Sequence, residues 1–217
     1  MIKIIVSLAM LLASSIVTSQ NQPQNIQTQL DSIWKTDQEI RFKLIQLQQE
    51  GKMNSDETKE LAQQMKTQDS VNLEKVESIL QNGWPDDLNM QGNQTIFLVI
   101  QHADLQTQNE YLPVIEKAVQ DNKTFPANLA LLKDRMALRE GKKQIYGSQI
   151  FIDSNTGKKY VQPLQNPEGV DKLRAEVGLT SMETYLQQSF QMDWNLKEYY
   201  KNLPEVEKLL EERKSAK

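Results

Sequence analysis

Apolar residues recur every three or four positions along most of this chain, the periodicity of helices with one buried face. Ile26, Leu30, Ile33, Trp34, Ile40, Leu44 and Leu47 form one stripe, with Asp37 and Arg41 recurring at the same spacing, and Glu50-Gly51 ends it. Ser55 reads as the N-cap of a second helix reaching about Met65, and Asp69 or Ser70 as the cap of a third over about Val71 to Leu80. Gly83-Trp84-Pro85 then breaks the chain. From Ile96 to Ile100 every residue is apolar. Ile96, Val99, Ile100 and Ala103 make one stripe, and Phe97 and Leu98 point elsewhere. A helix apolar all round is buried all round, so Gln94 to Asp104 reads as the central element. A buried strand is the competing reading of so short a run. Another helix spans about Glu110 to Gln120 with Pro113 in its first turn, and Phe125-Pro126 opens one that runs to about Arg139 and stops at Gly141.

The period then changes. Gln144 to Ile152 reads as a strand, Asp153 to Gly157 as a turn, and Lys159 to Leu164 as the returning strand. Two strands alone are marginally stable, so this hairpin must pack on helices. Val170, Leu173 and Val177 mark a short helix ended by Gly178; Thr180 with Glu183 fits a capping box, and Pro204 opens a last helix with Val206, Leu209 and Leu210 on its apolar side. The fold class that follows is mainly α (α+β): a helical domain around a buried central helix, with one small β-hairpin packed on it.

Residues 1–19 carry a different pattern. Lys3 precedes an apolar stretch from Ile4 to Val17, and Val17 and Ser19 fit the small-residue signature of signal peptidase cleavage. The stretch falls short of the roughly 20 apolar residues a membrane helix needs. A signal peptide cleaved after Ser19, export to the periplasm or beyond, and a single domain over residues 20–217 with no membrane span are the expectations. The chain has 217 residues, no Cys, one His and a net charge of −4. Disulfides, thiolate metal sites and a Cys nucleophile are therefore excluded, and the charge offers no footprint for nucleic acid.

Polar residues set against the apolar grain are the candidate chemistry. His102 lies four residues after Leu98 at the end of the buried helix, beside Gln101 and Asp104. It is a paired core histidine, a general base or ligand contact, or a metal ligand. Asp134 and Arg135 sit in an otherwise apolar helix, as an internal salt bridge or as a pair lining a pocket, where the Arg135 fork suits a carboxylate or phosphate. Gln144 and Tyr146 share one face of the first strand. Gly147 marks either a bulge, which would bring Gln149 round to Tyr146, or room for a packed helix. Arg174 borders the core and could pair with Asp134 or Asp104. No spacing suits a metal, no cofactor fingerprint is present, and the G-x-S-x-G, P-loop and H-E-x-x-H signatures are missing.

Six segments stand in order: Gly83-Trp84-Pro85, Gln101-His102-Ala103-Asp104, Tyr111-Leu112-Pro113 after Gln108, Leu132 to Arg135, Gln144 to Gln149, and Asp171 to Arg174 followed by Val177-Gly178-Leu179. Together they resemble a family of bacterial proteins, often exported, known as a domain of unknown function. The resemblance covers about residues 80–185 and, more loosely, the helix from Ile26. The family pattern has Thr at position 148 and often Arg at 173, where this chain has Ser148 and Leu173. The resemblance implies that His102, Asp104, Asp134, Arg135, Gln144, Tyr146, Gln149 and Arg174 belong together. Two functions fit such a cluster. One is a non-catalytic domain that binds a small polar ligand or an envelope component. The other is an exported hydrolase or lyase. There His102 acts as acid/base, oriented by Asp104 or Asp134, while Arg135 and Arg174 hold an anionic group that Gln144, Tyr146 and Gln149 position.

Overall fold

The computed structural model describes residues 25–153 and 155–215; the expected signal peptide lies outside them. The fold is mainly α with one antiparallel hairpin. In chain order the elements are α1 (Ile26–Gln49), α2 (Asp56–Leu80), α3 (Met90–His102), α4 (Leu105–Gln120), α5 (Pro126–Arg139), β1 (Ile150–Ile152), β2 (Lys159–Val161), α6 (Val170–Glu176), α7 (Met182–Phe190) and α8 (Leu196–Ser215). Among the described residues no helix is long and apolar enough to cross a membrane.

The run Ile96 to Ile100 is helical and central. Ile96, Phe97 and Ile100 are wholly inaccessible, and they pack with Leu30 and Ile33 of α1, Val76 of α2, Ile115 of α4 and Leu132 of α5. Full burial of each such side chain stabilises by about 1.5–3 kcal/mol, so this cluster dominates the helical layer. Polar cross-links fix the helix directions. Gln27 accepts from the Asn89 amide near the starts of α1 and α3, and Asp37 meets His102 near the end of α3, so the two helices run the same way. Gln94 bonds Asn128, and Arg139 reaches the Ala103 carbonyl, so α3 and α5 are also parallel. Thr36 faces Asn72, and Arg41 faces Asp69, which makes α1 and α2 an antiparallel pair.

Several local expectations are corrected. Residues 56–80 form one helix rather than two, because both would-be caps are engaged elsewhere: Ser70 Oγ donates to the Lys66 carbonyl and Asp69 pairs with Arg41. Helix α4 begins at Leu105 rather than Glu110, since Asp104 caps it by accepting from the Thr107 amide at 2.8 Å; Pro113 lies inside. Ser181, not Thr180, caps α7, and Glu183 accepts from the Trp194 amide instead of closing a box. Asn195 accepts from the Glu198 amide at 3.1 Å and starts α8 well before Pro204.

The largest difference is the first strand. Only Ile150 to Ile152 pair with β2, in the register Ile150–Val161, Phe151–Tyr160 and Ile152–Lys159. Gln144 makes an isolated bridge with Leu164, and residues 145–149 are a loop because four of their amides go to side chains. Asp134 takes those of Ile145, Tyr146 and Ser148, and Gln144 Oε1 takes that of Gln149. The hairpin rests on the C-terminal helices: Phe151 and Tyr160 pack with Val206 of α8, while Val161 joins Met182, Leu186 and Tyr199.

Gly147 has φ +69°, and a Cβ there would stand 2.6 Å from the Met182 sulfur and 3.3 Å from Leu164. It makes room for α7. Gly147→Ala should cost about 2–4 kcal/mol through the left-handed backbone and the clash. A fall of more than about 4 °C in the thermal midpoint is expected, and an unchanged midpoint would contradict this packing.

Candidate functional site

Two polar networks meet along helix α5. The first begins on α1, where Asp37 and Arg41 are one turn apart and half-facing the core. The Asp37 side chain is only 3% exposed; its Oδ1 lies 2.9 Å from Arg41 Nη1 and 3.1 Å from His102 Nδ1. Gln38 Nε2 donates to the other oxygen at 2.7 Å. Arg41 also reaches across to α2, where Nη2 donates to both oxygens of Asp69 at 2.8 and 3.0 Å.

Burial pushes the Asp37 carboxyl up, but the hydrogen bond and charge of His102, then Arg41 and Gln38, outweigh it and hold the group below its ordinary value of 3.8. An ionised carboxylate only accepts, so the hydrogen of this bond sits on His102 Nδ1. The other ring nitrogen, Nε2, bonds no group among the described residues, and the side chain remains 15% exposed.

The second network holds the 144–149 loop. Asp134 is wholly buried and its carboxylate gathers three backbone amides: Ile145 at 2.7 Å, Tyr146 at 2.9 Å and Ser148 at 2.9 Å. Arg174, also buried, donates from Nε to the Thr180 carbonyl at 2.5 Å and from Nη1 to the Tyr146 carbonyl at 2.6 Å. Its guanidinium stacks 4.8 Å above the Tyr185 ring, and the Tyr185 hydroxyl donates to the Ser148 carbonyl at 2.7 Å. Gln144, wholly buried, donates to the carbonyls of Gln149 and Gln162. Gln149 Nε2 donates to Ser148 Oγ at 3.0 Å.

Arg135 stands between the two networks. Its Nε is buried and has no acceptor, and its side chain makes no other hydrogen bond among those described. Burial first, then the positive charges of Arg139 and Arg41, push its guanidinium below the usual arginine value; the Tyr185 hydroxyl acts weakly the other way. Arg41 belongs to the first network and Tyr185 to the second. A buried donor left without an acceptor costs about 1–3 kcal/mol, more when it belongs to a charged group.

The family model described as a family of unknown function, DUF6624, matches residues 23–197. The chain belongs to the DUF6624 family. No curated protein and no solved structure gives a significant match.

In this DUF6624 chain the sequence-predicted residues divide by what they touch. His102 pairs with Asp37, and neither Asp104 nor Asp134 bonds it. Asp104 caps α4, and its carboxyl is held below the ordinary value chiefly by the Thr107 amide. Asp134 and Arg135 form no salt bridge with each other: the first organises a loop and the second lacks a partner. Arg174 pairs with carbonyls and an aromatic ring rather than with Asp134 or Asp104. Gln144, Tyr146 and Gln149 do come together in the loop, with the Tyr146 backbone engaged and its side chain half-buried.

Asp37, Arg41, Asp69 and Arg139 were not predicted as site residues. The signal for two of them was present, since Asp37 and Arg41 repeat on the apolar stripe of α1. One ligand atom each from Asp37, Asp69 and His102 lies within 4.8 Å of the others, a spacing open to a divalent cation. Arg41 already makes ion pairs with both carboxylates, so a metal would have to displace it.

Because the Asp37 carboxyl is depressed in the folded state, its contribution to stability is present above its ordinary value of 3.8 and lost as pH falls through the lower folded value. Asp37→Asn should cost about 3–5 kcal/mol near pH 7, by leaving Arg41 and His102 without their buried partner. Denaturant unfolding of both proteins from pH 7 downward checks this. The gap should close only in the acid range below the ordinary carboxylate value, and a gap independent of pH would contradict the ion-pair account.

Proposed function

We propose that this protein is an exported, non-catalytic domain that binds a small polar molecule or envelope component along α5, between the His102 network and the 144–149 loop. The observation that carries this reading is Arg135, a half-buried side chain whose Nε is enclosed and has no acceptor. Retaining such a group against its cost is the pattern expected where function constrains stability. His102 Nε2, which bonds no described group, and the half-buried Tyr146 side chain are further polar groups open to such a ligand. The positions of Asp134 and Arg174 support a rigid frame for such a site rather than direct ligand contact.

The test is a binding screen on protein labelled with nitrogen-15 at arginine. Polar metabolites and cell-envelope fragments are added, and the Arg135 Nε–H resonance is followed. At least one compound should shift it saturably. A screen in which Arg135 never responds while the protein stays folded would contradict the reading.

One observation favours a second reading. A buried carboxylate orients His102 through Nδ1 and leaves Nε2 unbonded, the arrangement of an acid/base histidine. In that case the bound compound is converted, and His102→Gln abolishes turnover while binding persists. A binding domain returns the compound unchanged.

A further inference from the structure

The polar seam along α5 has a charge imbalance that names its ligand. Arg135 and Arg139 are four residues apart on one helix, so their side chains are neighbours, and like charges at this spacing repel. No carboxylate bonds either of them among the described residues. Arg139 is placed by a bond from Nη1 to the Ala103 carbonyl at 2.6 Å, at the end of α3 next to His102. The acidic group acting on Arg139 is Asp104, whose carboxylate is already engaged as the cap of α4. Arg41, by contrast, has both Asp37 and Asp69 as counter-charges. The hydrolase or lyase reading of the sequence has Arg135 and Arg174 hold an anionic group. Arg174 is used up on two carbonyls and the Tyr185 ring, so it has little to offer a ligand.

We infer that the ligand presents an oxyanion, a carboxylate or phosphate group, and that Arg135 and Arg139 bind it together beside His102. This deepens the binding reading and rests on it. Two neighbouring guanidinium groups, one with a buried unsatisfied donor, are the donor set that a planar or tetrahedral oxyanion satisfies. His102 Nε2 lies at the end of the adjacent helix as the third polar group. The source of the anion, a carboxylic acid or a phosphate ester, is left to the arms of the test.

The experiment follows the thermal midpoint at pH 7 and fixed ionic strength, replacing chloride by acetate or by inorganic phosphate, with N-acetylglucosamine as an uncharged probe. Wild type should be stabilised saturably by acetate or by phosphate, by about 3–6 °C at ten times the dissociation constant. The stronger of the two anions identifies the group. Arg135→Met should lose the response and melt higher than wild type in chloride. Arg139→Gln, a change at an exposed position, should weaken the response about tenfold or more and keeps the test valid if the first variant misfolds. Wild type indifferent to both anions would overturn the inference, as would variants that respond like wild type. Stabilisation by the uncharged probe alone would overturn the oxyanion and leave the binding reading standing; indifference to all three probes, together with a silent Arg135 in the labelled screen, would overturn both.

Discussion

One carboxylate joins the two halves of this structure. Asp134 projects from α5, the last helix of the N-terminal layer, and its two oxygens gather the amides of Ile145, Tyr146 and Ser148. Those amides would otherwise lie buried and unpaired, each at a cost of about 1–3 kcal/mol. By satisfying them the carboxylate bends residues 144–149 away from a strand and against α5. The chain can then enter β1 pointed at α8 and return through β2 to α6 and α7. Arg174 closes the same loop from the other side through the Tyr146 carbonyl, so helix α6 is tied to the loop that Asp134 shapes.

Adjacent positions on α5 point about 100° apart. This is why Asp134 and Arg135, neighbours in sequence, have opposite fates. Asp134 faces the loop and is saturated; Arg135 turns toward the side where Arg41 and Arg139 add positive charge, and it has no acceptor. A frame bonded at Asp134, Gln144 and Arg174 borders an arginine whose Nε is not. Paired surroundings around an unsatisfied charged donor are what a preorganised binding site requires.

Much of the helical layer was legible in the sequence. The all-apolar run from Ile96 to Ile100 marks the central helix because a helix needs apolar residues on every side only when it is enclosed. Boundaries set by long-range pairing were not legible. Asp69 and Ser70 have the chemistry of helix caps, yet Asp69 is drawn to Arg41 on another helix. The alternation in residues 144–149 resembles a strand, and only a carboxylate ten or more residues upstream decides otherwise. For the site, the sequence pointed to His102 but not to its partner. Asp37 lies 65 residues away on α1, where its recurrence among apolar residues was the available sign that it faces inward.

The central claim is that the Asp134 carboxylate, not a β-ladder, holds residues 145–148. Amide hydrogen exchange resolved by residue tests it most directly. In wild type the Ile145, Tyr146 and Ser148 amides should exchange nearly as slowly as those of α3, and Asp134→Asn should release these three far more than the amides of α3. Fast exchange at all three in the wild-type protein, or equal protection in the variant, would contradict the account.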